Sequence, residues 1–297
     1  MFYKSSLTAI LMTIVSGVLM ATSAVVFKWI EISAEIFIFF RMFIGAIFFA
    51  LYLFIIRQPL RHKNGFPLSS CIAGACLAAV FILYMKSLSY LGMTVAIMFV
   101  YMGPLLATIA AHFIFQERLN QKTLALITTA FLGFLMIQDF SSGKILHLDT
   151  GITLGLGAAI SYALFVIINR YPVSADEQNV RIFYQLLSGA IVCIPFTPDF
   201  SSNFSSEQWI GFIFTGFFPG CLAIFFAVSA IQRLETSVVN TLLYIEPVFV
   251  AVFGWLIFHE PLSLNQSIGT LIIITSSLLL VISKHKSKSH HRVKKSL

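Results

Sequence analysis

The chain alternates between long apolar runs and short polar stretches. A bilayer core about 30 Å thick requires roughly 20 apolar residues in a helix that rises about 1.5 Å per residue. Ten runs meet or approach this length, and no connection between them is long enough for a soluble domain. This pattern predicts an all-α integral membrane protein with ten transmembrane helices. We place them at residues 5–27, 35–56, 69–88, 93–115, 122–138, 150–168, 182–197, 208–231, 237–258 and 265–283.

The composition excludes a soluble protein and offers no site for a cofactor. Hydrophobic residues make up 58% of the chain and charged residues only 10%, whereas soluble domains carry roughly 25% charge. The four cysteines lie in apolar runs without a CxxC pair, so we predict no disulfide framework and no metal. Asp176 and Glu177 are adjacent in a predicted inner loop, but without a nearby histidine they do not indicate an enzyme. We predict no cofactor and no catalytic residue.

Lys and Arg are distributed unevenly between alternate loops. With the N-terminus inside, only Lys28, Lys86 and Lys144 fall on the outer side. Because cytoplasmic loops carry the excess of basic residues, this predicts an inner (cytoplasmic) membrane protein with both termini cytoplasmic. The basic tail 284–297 is expected to be disordered and attracted to anionic lipid headgroups. It has no interleaved aromatic residue for base stacking, so we predict no nucleic-acid partner.

The sequence repeats itself at an offset of 143 residues, the separation of Tyr101 and Tyr244. The pattern Tyr-x2-Pro-x12-Glu occurs on the fourth and again on the ninth predicted helix. Each half then holds five helices, and because five is odd the second half crosses the membrane in the opposite sense. We predict a first repeat at 1–138, a second at 150–283 and a cytoplasmic tail at 284–297; a duplication kept only for packing is the alternative. The matched pairs are Tyr101 with Tyr244, Pro104 with Pro247 and Glu117 with Glu260.

The ninth predicted helix contains the best candidate for a binding group. Glu246 lies near the middle of an otherwise apolar span, where an ionised group costs at least about 2–3 kcal/mol. Asn240 and Tyr244 are close by, and Pro247 frees the backbone carbonyl of Leu243. A loosened helix beside a carboxylate and a phenol is a candidate ligand site. The alternative is a buried carboxyl group that bonds to a neighbouring helix.

Other polar groups at similar depth extend this candidate site. Pro104 and Pro247 are interpreted as helix kinks or gating positions, or alternatively as kinks needed only for packing. Gly103 stands where Glu246 stands in the second copy, so the site is expected to be asymmetric. The predicted substrate-binding residues are Tyr84, Tyr101, Tyr162, Asn240, Tyr244 and Glu246.

Arg41 is the one basic residue inside the second predicted helix, about two turns from its outer end. It can extend to the outer headgroups or pair inside with an acid, and we favour a structural role. Small residues recur at four-residue spacing, at Gly151 and Gly155 and again at Gly216 and Gly220. This spacing suits close approach of helices.

The segments LGMTVAIMFVYMGPLLATIAAHFIFQERL and LETSVVNTLLYIEPVFVAVFGWLIFHEPL resemble the signature of the drug/metabolite transporter superfamily, EamA type. The resemblance covers residues 5–283, and Arg41 is similar to a recurrent arginine of the family. It implies a central cavity lined by helices 1, 3, 4, 6, 8 and 9, with Glu117 and Glu260 as structural charges at helix ends. It does not identify a substrate, because related members move amino acids, sugars, nucleotide-like compounds, purines and drugs.

These observations predict a secondary transporter of small metabolites, with export of amino acids or related amphipathic compounds as the first hypothesis. The alternative is an uptake or exchange carrier for a nucleotide-like or other essential metabolite. A membrane enzyme or an ion channel is disfavoured, since neither paired titratable groups at the membrane surface nor a ring of charges is evident. The expected partners are a small-molecule solute, the lipid bilayer and a proton or other coupling ion; a homodimer is left open.

Reporter fusions test the predicted topology. A reporter fused after Leu297 should be cytoplasmic and one inserted beside Lys144 periplasmic, because five predicted helices separate the two points. Fluorescence of a fused GFP and activity of a fused alkaline phosphatase distinguish the two compartments. Two reporters on the same side of the membrane would contradict the inverted repeat.

Overall fold

The part of the chain that the structure describes forms ten apolar helical spans. The computed structural model describes residues 2–60, 67–91, 93–117, 119–137, 148–197, 203–259 and 263–293, and no strand occurs among them. Nine of the described spans have the length and hydropathy to cross a membrane, and α5, with 17 residues, is a shorter apolar helix. The all-α prediction of ten spans is confirmed. The spans are α1 Phe2–Ile30, α2 Ala34–Ile55, α3 Leu68–Leu88, α4 Met93–Phe115, α5 Gln121–Ile137, α6 Leu148–Arg170, α7 Ala175–Cys193, α8 Ser206–Arg233, α9 Thr236–Phe258 and α10 Leu264–Val293.

Large apolar side chains cover the outside of the bundle as well as its core. Phe54 is 80% exposed and Phe113 and Leu264 are each 76% exposed, which is unfavourable in water but matches contact with lipid. Inside, Phe49 and Leu186 belong to a cluster formed mainly by α2, α3, α6, α7, α8 and α9. Both the outer surface and the core of the bundle are therefore apolar, so few positions accommodate a polar side chain.

Two predicted boundaries are wrong, both where charged residues were interpreted as loop. The helix α7 begins at Ala175 rather than 182, because the Ser174 side chain accepts a hydrogen bond from the Glu177 backbone N–H at 3.3 Å. Asp176 and Glu177 thus lie in the first helical turn, where their charge suits the helix dipole. Arg181 is a buried helix residue that donates to backbone carbonyls at the end of α6. At the other end of the chain, α10 continues to Val293, into the stretch expected to be disordered.

Two spans are irregular near the middle of the membrane. The span α8 consists of a helix at Ser206–Thr215, a π-helical segment at Gly216–Leu222 and a second helix at Ala223–Arg233. The span α9 is interrupted at Tyr244, between Thr236–Leu243 and Ile245–Phe258. Pro247 has no backbone N–H to donate to the carbonyl four residues earlier, which explains the interruption.

The boundaries of the helices reproduce the 143-residue offset. The span α4 runs from Met93 to Phe115 and α9 from Thr236 to Phe258, so both ends match. The residues that follow, Gln116 and His259, both adopt the left-handed backbone conformation, with φ of 53° and 55°. This geometry is uncommon for non-glycine residues, and its recurrence at the same offset supports the predicted two-repeat architecture.

Glycines allow several helices to approach closely. A Cβ atom at Gly216 would lie 2.4 Å from Ile44 of α2, and one at Gly220 would lie 2.5 Å from the Arg41 carbonyl oxygen. Gly155 packs in the same way against the ring of Phe99 in α4. The small residues singled out in the sequence therefore serve helix packing, and Gly220 in particular fixes α2 at Arg41.

Gly269→Ala should destabilise the contact between α5 and α10. A Cβ at Gly269 would lie 2.5 Å from the backbone oxygen of Gly133, and overpacking of this kind costs about 1–3 kcal/mol. We expect a lower melting temperature in detergent than for the matched control Gly157→Ala, whose Cβ would meet only the flexible tip of Leu83 at 3.1 Å. Equal melting temperatures of the two variants would contradict the close crossing.

Candidate functional site

The centre of the bundle is the crossing of α4 and α9, the two helices that carry the repeated pattern. The Tyr244 hydroxyl donates to the Tyr101 backbone oxygen at 2.8 Å. The Asn240 side-chain N–H donates to the Pro104 backbone oxygen at 2.9 Å and to the Thr108 hydroxyl at 3.1 Å. Residue numbers rise along one helix as they fall along the other, so the two copies cross in opposite directions.

Because of these bonds, Asn240 and Tyr244, two of the predicted binding residues, are turned towards α4. Asn240 is 0% and Tyr244 1% exposed. The Asn240 amide N–H and the Tyr244 hydroxyl are bonded to the backbone of α4, whereas Asn240 Oδ1 has no hydrogen-bond partner among the described residues. A buried polar group needs such a partner in an apolar environment. Both side chains therefore join the repeats in this structure, and contact with a solute would require α4 and α9 to separate.

The structure brings the other predicted binding residues near one another. Tyr84, Tyr101, Tyr162 and Glu246 come from α3, α4, α6 and α9, and all four are partly exposed. Tyr84 lies one turn before the end of α3, whereas the other three lie well inside their spans. Glu246 interacts electrostatically with Tyr101 and Tyr162, and Tyr101 interacts with Tyr84. The Tyr101 ring also stacks on Phe134 of α5, with ring centroids 4.3 Å apart. Four helices thus present three phenols and one carboxylate to each other.

The contact between Gly103 and Tyr162 explains why the site has one carboxylate rather than two. A Cβ at Gly103 would lie 2.8 Å from the Tyr162 Cβ, so α6 occupies the place that a larger residue would need. In the second copy the equivalent position holds Glu246, and there the close approach comes from Gly17 of α1, whose Cβ would lie 2.7 Å from Ile245. In the first copy the glycine at the close contact lies on α4, whereas in the second copy it lies on α1, the neighbour of α9. This leaves room for a carboxylate on α9.

Arg41 points into the bundle rather than towards the outer headgroups. It is 6% exposed, its Nη2 lies 2.9 Å from the Met20 sulfur, and its guanidinium carbon lies 5.1 Å from the centre of the Phe81 ring. It also interacts electrostatically with Glu246. The side chain therefore turns inward, as one of the two alternatives from the sequence requires, but among the described residues it forms no ion pair with an acid.

Glu117 connects three helix ends at one side of the membrane. Its carboxylate accepts from the Arg170 Nε at 2.8 Å, from the Thr236 backbone N–H at 2.8 Å and from the Thr236 hydroxyl at 3.1 Å. Arg170 ends α6, and Thr236 begins α9, where the free N–H groups of a helix favour a carboxylate. Glu117 therefore joins α6 to the start of α9, away from the mid-membrane site. Glu260, its counterpart, lies outside the described residues.

Pro104 and Pro247 flank the site in different ways. Pro104 lies inside a continuous α4, whereas Pro247 follows the interruption of α9. A gating role for either stays a prediction.

Sequence reasoning missed a buried polar network between α6, α7 and α8. The Gln185 side chain donates to Asn169 Oδ1 at 2.7 Å, and the Gln178 side chain donates to the Ser229 hydroxyl at 2.6 Å. Gln178, Arg181 and Gln185 follow each other at spacings of three and four, which is one face of a helix. That polar stripe was the available signal, and it was overlooked because part of it was interpreted as loop.

The fold and this site define a multi-pass membrane protein with a polar centre between two inverted repeats, the architecture of a transporter. The EamA-like transporter family matches the chain at residues 7–138 and 149–282. The chain belongs to this family.

Individual relatives agree with this assignment. The chain is 26% identical over 246 residues to the "Uncharacterized transporter YoaV" of Bacillus subtilis. This alignment covers 78% of this chain and 82% of that protein. It is 24% identical to an S-adenosylmethionine uptake transporter of Rickettsia felis over 84% of each chain. A protein of known crystal structure aligns with a TM-score of 0.78 at 17% identity, over 92% of this chain and 97% of that one, and shows the shared fold.

Glu117→Gln should lower the stability of the protein. The change removes the negative charge of the carboxylate that binds both Arg170 and the first turn of α9. A hydrogen bond to a charged group contributes about 1.5–3 kcal/mol to stability. We expect a clear decrease in melting temperature in detergent, because the carboxylate is only 8% exposed. Glu207→Gln, at an exposed carboxylate in the first turn of α8, is the matched control. An equal effect of both substitutions would contradict a role for Glu117 in joining the helices.

Proposed function

We propose that the protein is a secondary transporter that moves a small metabolite across the cytoplasmic membrane by alternating access. The observation that carries this proposal is the proximity of Tyr101, Tyr162 and Glu246 well inside their spans, with Tyr84 of α3 nearby, between the two inverted repeats. Substrate sites of such transporters lie at this depth and at this interface, near interrupted helices. The interruption of α9 at Tyr244 is adjacent to Glu246.

The chemistry of the site favours an amphipathic solute, and export of amino acids or related compounds is our first assignment. The three tyrosine rings offer apolar faces with polar edges. The Glu246 carboxylate offers an acceptor for a cationic group, and Arg41 adds a cation beside it. A solute with both an apolar body and charged groups uses all of these features.

The energy for uphill transport would come from a gradient. No nucleotide-binding motif is present in the sequence, and Glu246 is the group we assign to coupling with a proton or to binding of a cationic solute.

We further propose that both termini are cytoplasmic, with the ends of α4 and α6 on that side. A homodimer is compatible with the many apolar side chains on the outer surface.

Uptake is the second candidate, and one comparison favours it. The Rickettsia felis relative is named for uptake of S-adenosylmethionine, a solute with an amino-acid end and a nucleoside end. The tyrosine rings of this site suit stacking with a nucleobase as well as an aromatic amino acid. Counterflow in vesicles of both orientations distinguishes uptake, exchange and export. A channel would instead give discrete single-channel currents.

Glu246→Gln should fold and insert but lose the pH dependence of transport or the affinity for a cationic solute, because it keeps the shape and removes the titratable charge. Tyr244→Phe should do less, since the Tyr244 hydroxyl is bonded to the α4 backbone. The measurement is solute flux at several pH values into proteoliposomes with equal protein content.

The control for this experiment is Glu207→Gln, which removes an exposed carboxylate distant from the site in sequence and in the membrane. A Glu246→Gln protein with the wild-type rate and pH profile would reduce Glu246 to a packing residue. If no candidate solute moves under any imposed gradient, the proposal that the wild-type protein is a transporter loses its main support.

A further inference from the structure

A cavity of about 60 Å³ lies between α2, α3 and α7 at one end of the bundle. Its lining includes residues from each helix, among them Glu35 and Ile38, Ile82 and Lys86, and Cys193 and Phe196. Glu35 lies in the first turn of α2, Lys86 in the last turn of α3 and Phe196 just after α7, so three helix ends meet at one level. One water molecule needs only about 10–15 Å³ of such space, so this cavity has room for a larger group.

The cavity is separate from the mid-membrane site. Its lining includes none of the four residues assigned to that site, which are Tyr84, Tyr101, Tyr162 and Glu246. Two of the helices that form the cavity, α2 and α7, contribute no residue to that group. The occupant of the cavity is therefore a different molecule from the transported solute.

The cavity lies at the level of the membrane–water boundary. The three tryptophans of the chain are exposed and lie within one turn of a helix end, namely Trp29, Trp209 and Trp255. These helix ends lie together at the end of the bundle where α2 begins, because the Gln208 side chain donates to the Ile30 backbone oxygen at 3.3 Å and Lys28 Nζ lies 4.3 Å from the centre of the Phe258 ring. Tryptophans are enriched at the lipid headgroups, so a group in the cavity meets the headgroups.

The two charged residues of the cavity come from different helices. Among the described residues, no ion pair joins Glu35 to Lys86. Lys86 is exposed, and its Nζ lies 4.7 Å from the centre of the Phe196 ring, whereas Glu35 is partly exposed. Buried apolar side chains, including Ile38 and Ile82, form another part of the lining. The cavity thus combines a donor for an anion with an acceptor for a cation.

We propose that this cavity binds the headgroup of phosphatidylethanolamine, with the lipid phosphate at Lys86 and the lipid ammonium group at Glu35. Contacts of this kind are charge-assisted hydrogen bonds. The headgroup carries its two charges a few bonds apart, so one molecule satisfies both residues. Phosphatidylcholine has the same charges, but its trimethylammonium group has no N–H to donate to Glu35. Phosphatidylglycerol has no cation at all.

Exposed apolar side chains continue from this level towards the membrane interior. On α2, Phe43 and Ile47 follow Glu35 at spacings of eight and twelve, which places them on one helix face, and both are exposed. On α7, Ile191 and Ile194 are exposed as well. The acyl chains of a lipid can lie on these surfaces, whereas a soluble molecule with the same headgroup leaves them unused. This favours a lipid as the occupant over free phosphoethanolamine.

Native mass spectrometry of the purified, delipidated full-length protein tests the assignment. Phosphatidylethanolamine, phosphatidylcholine and phosphatidylglycerol with identical acyl chains are titrated separately, and soluble glycerophosphoethanolamine is added as a competitor. In the wild type, phosphatidylethanolamine should bind at least about fivefold more tightly than either of the other lipids. The soluble headgroup should compete only weakly, because it lacks the acyl chains.

Two substitutions should remove the two contacts separately. Glu35→Gln should lose the preference for phosphatidylethanolamine over phosphatidylcholine, because only the ammonium contact distinguishes these lipids. Lys86→Gln should weaken the binding of both lipids by the same factor and keep that preference, because both contain the phosphate. Glu35→Asp retains the charge and should retain the preference.

Two variants at the same end of the bundle are matched controls. Glu207→Gln changes a carboxylate in the first turn of α8, and Lys28→Gln changes an ammonium group beside a phenylalanine ring. Neither residue lines the cavity, so both variants should bind the three lipids as the wild type does. Glu35 and Lys86 are not buried, so their variants should fold, and the melting temperature of each protein in detergent checks this.

Four results would overturn the inference. They are equal binding of the three lipids by the wild type, a preference for phosphatidylethanolamine that persists in Glu35→Gln, an equal effect of the control substitutions, and competition by glycerophosphoethanolamine at the affinity of the lipid. The last result would make the occupant a soluble molecule. None of these measurements involves solute flux, so failure of the lipid site and failure of the transport function are distinguishable.

Discussion

The hydrogen-bonded crossing of α4 and α9 is the constraint on which the rest of the structure depends. Lipid offers no hydrogen-bond partner, so the backbone N–H and C=O groups of each helix must bond within that helix or to another helix. Tyr244 and Asn240 of α9 donate to the backbone of α4 near its proline. These bonds join the two repeats near the polar side chains of α3, α4, α6 and α9.

The two repeats share one architecture, and the candidate site lies where they differ. Gln116 and His259 show how closely the two copies agree in backbone conformation. At the centre they differ, since Tyr162 packs on Gly103 in one copy, whereas the other copy carries Glu246 beside an interrupted helix. An inverted repeat with two carboxylates would place like charges in one apolar space, which is unfavourable. A single carboxylate avoids that repulsion.

Glu117 links the centre to one end of the bundle. Its carboxylate joins the last residue of α6 to the first turn of α9, so the helices that line the site are also tied to each other at the end predicted to be cytoplasmic. Separation of α6 from α9 at this end would break these bonds.

The sequence by itself determined the ten spans, their inverted repetition and the depth of Glu246, because hydropathy and the spacing of prolines and glutamates are local properties. It also singled out Tyr84, Tyr101 and Tyr162, which the structure brings together. Only the tertiary structure decided that Arg41 turns inward and that Asn240 and Tyr244 bond to α4, because an arginine or amide in an apolar run has several partners within reach and packing selects one. The first turn of α7 was misplaced for a related reason: Arg181 and its neighbours look solvated in sequence, and the burial of Arg181 depends on carbonyl groups at the end of α6.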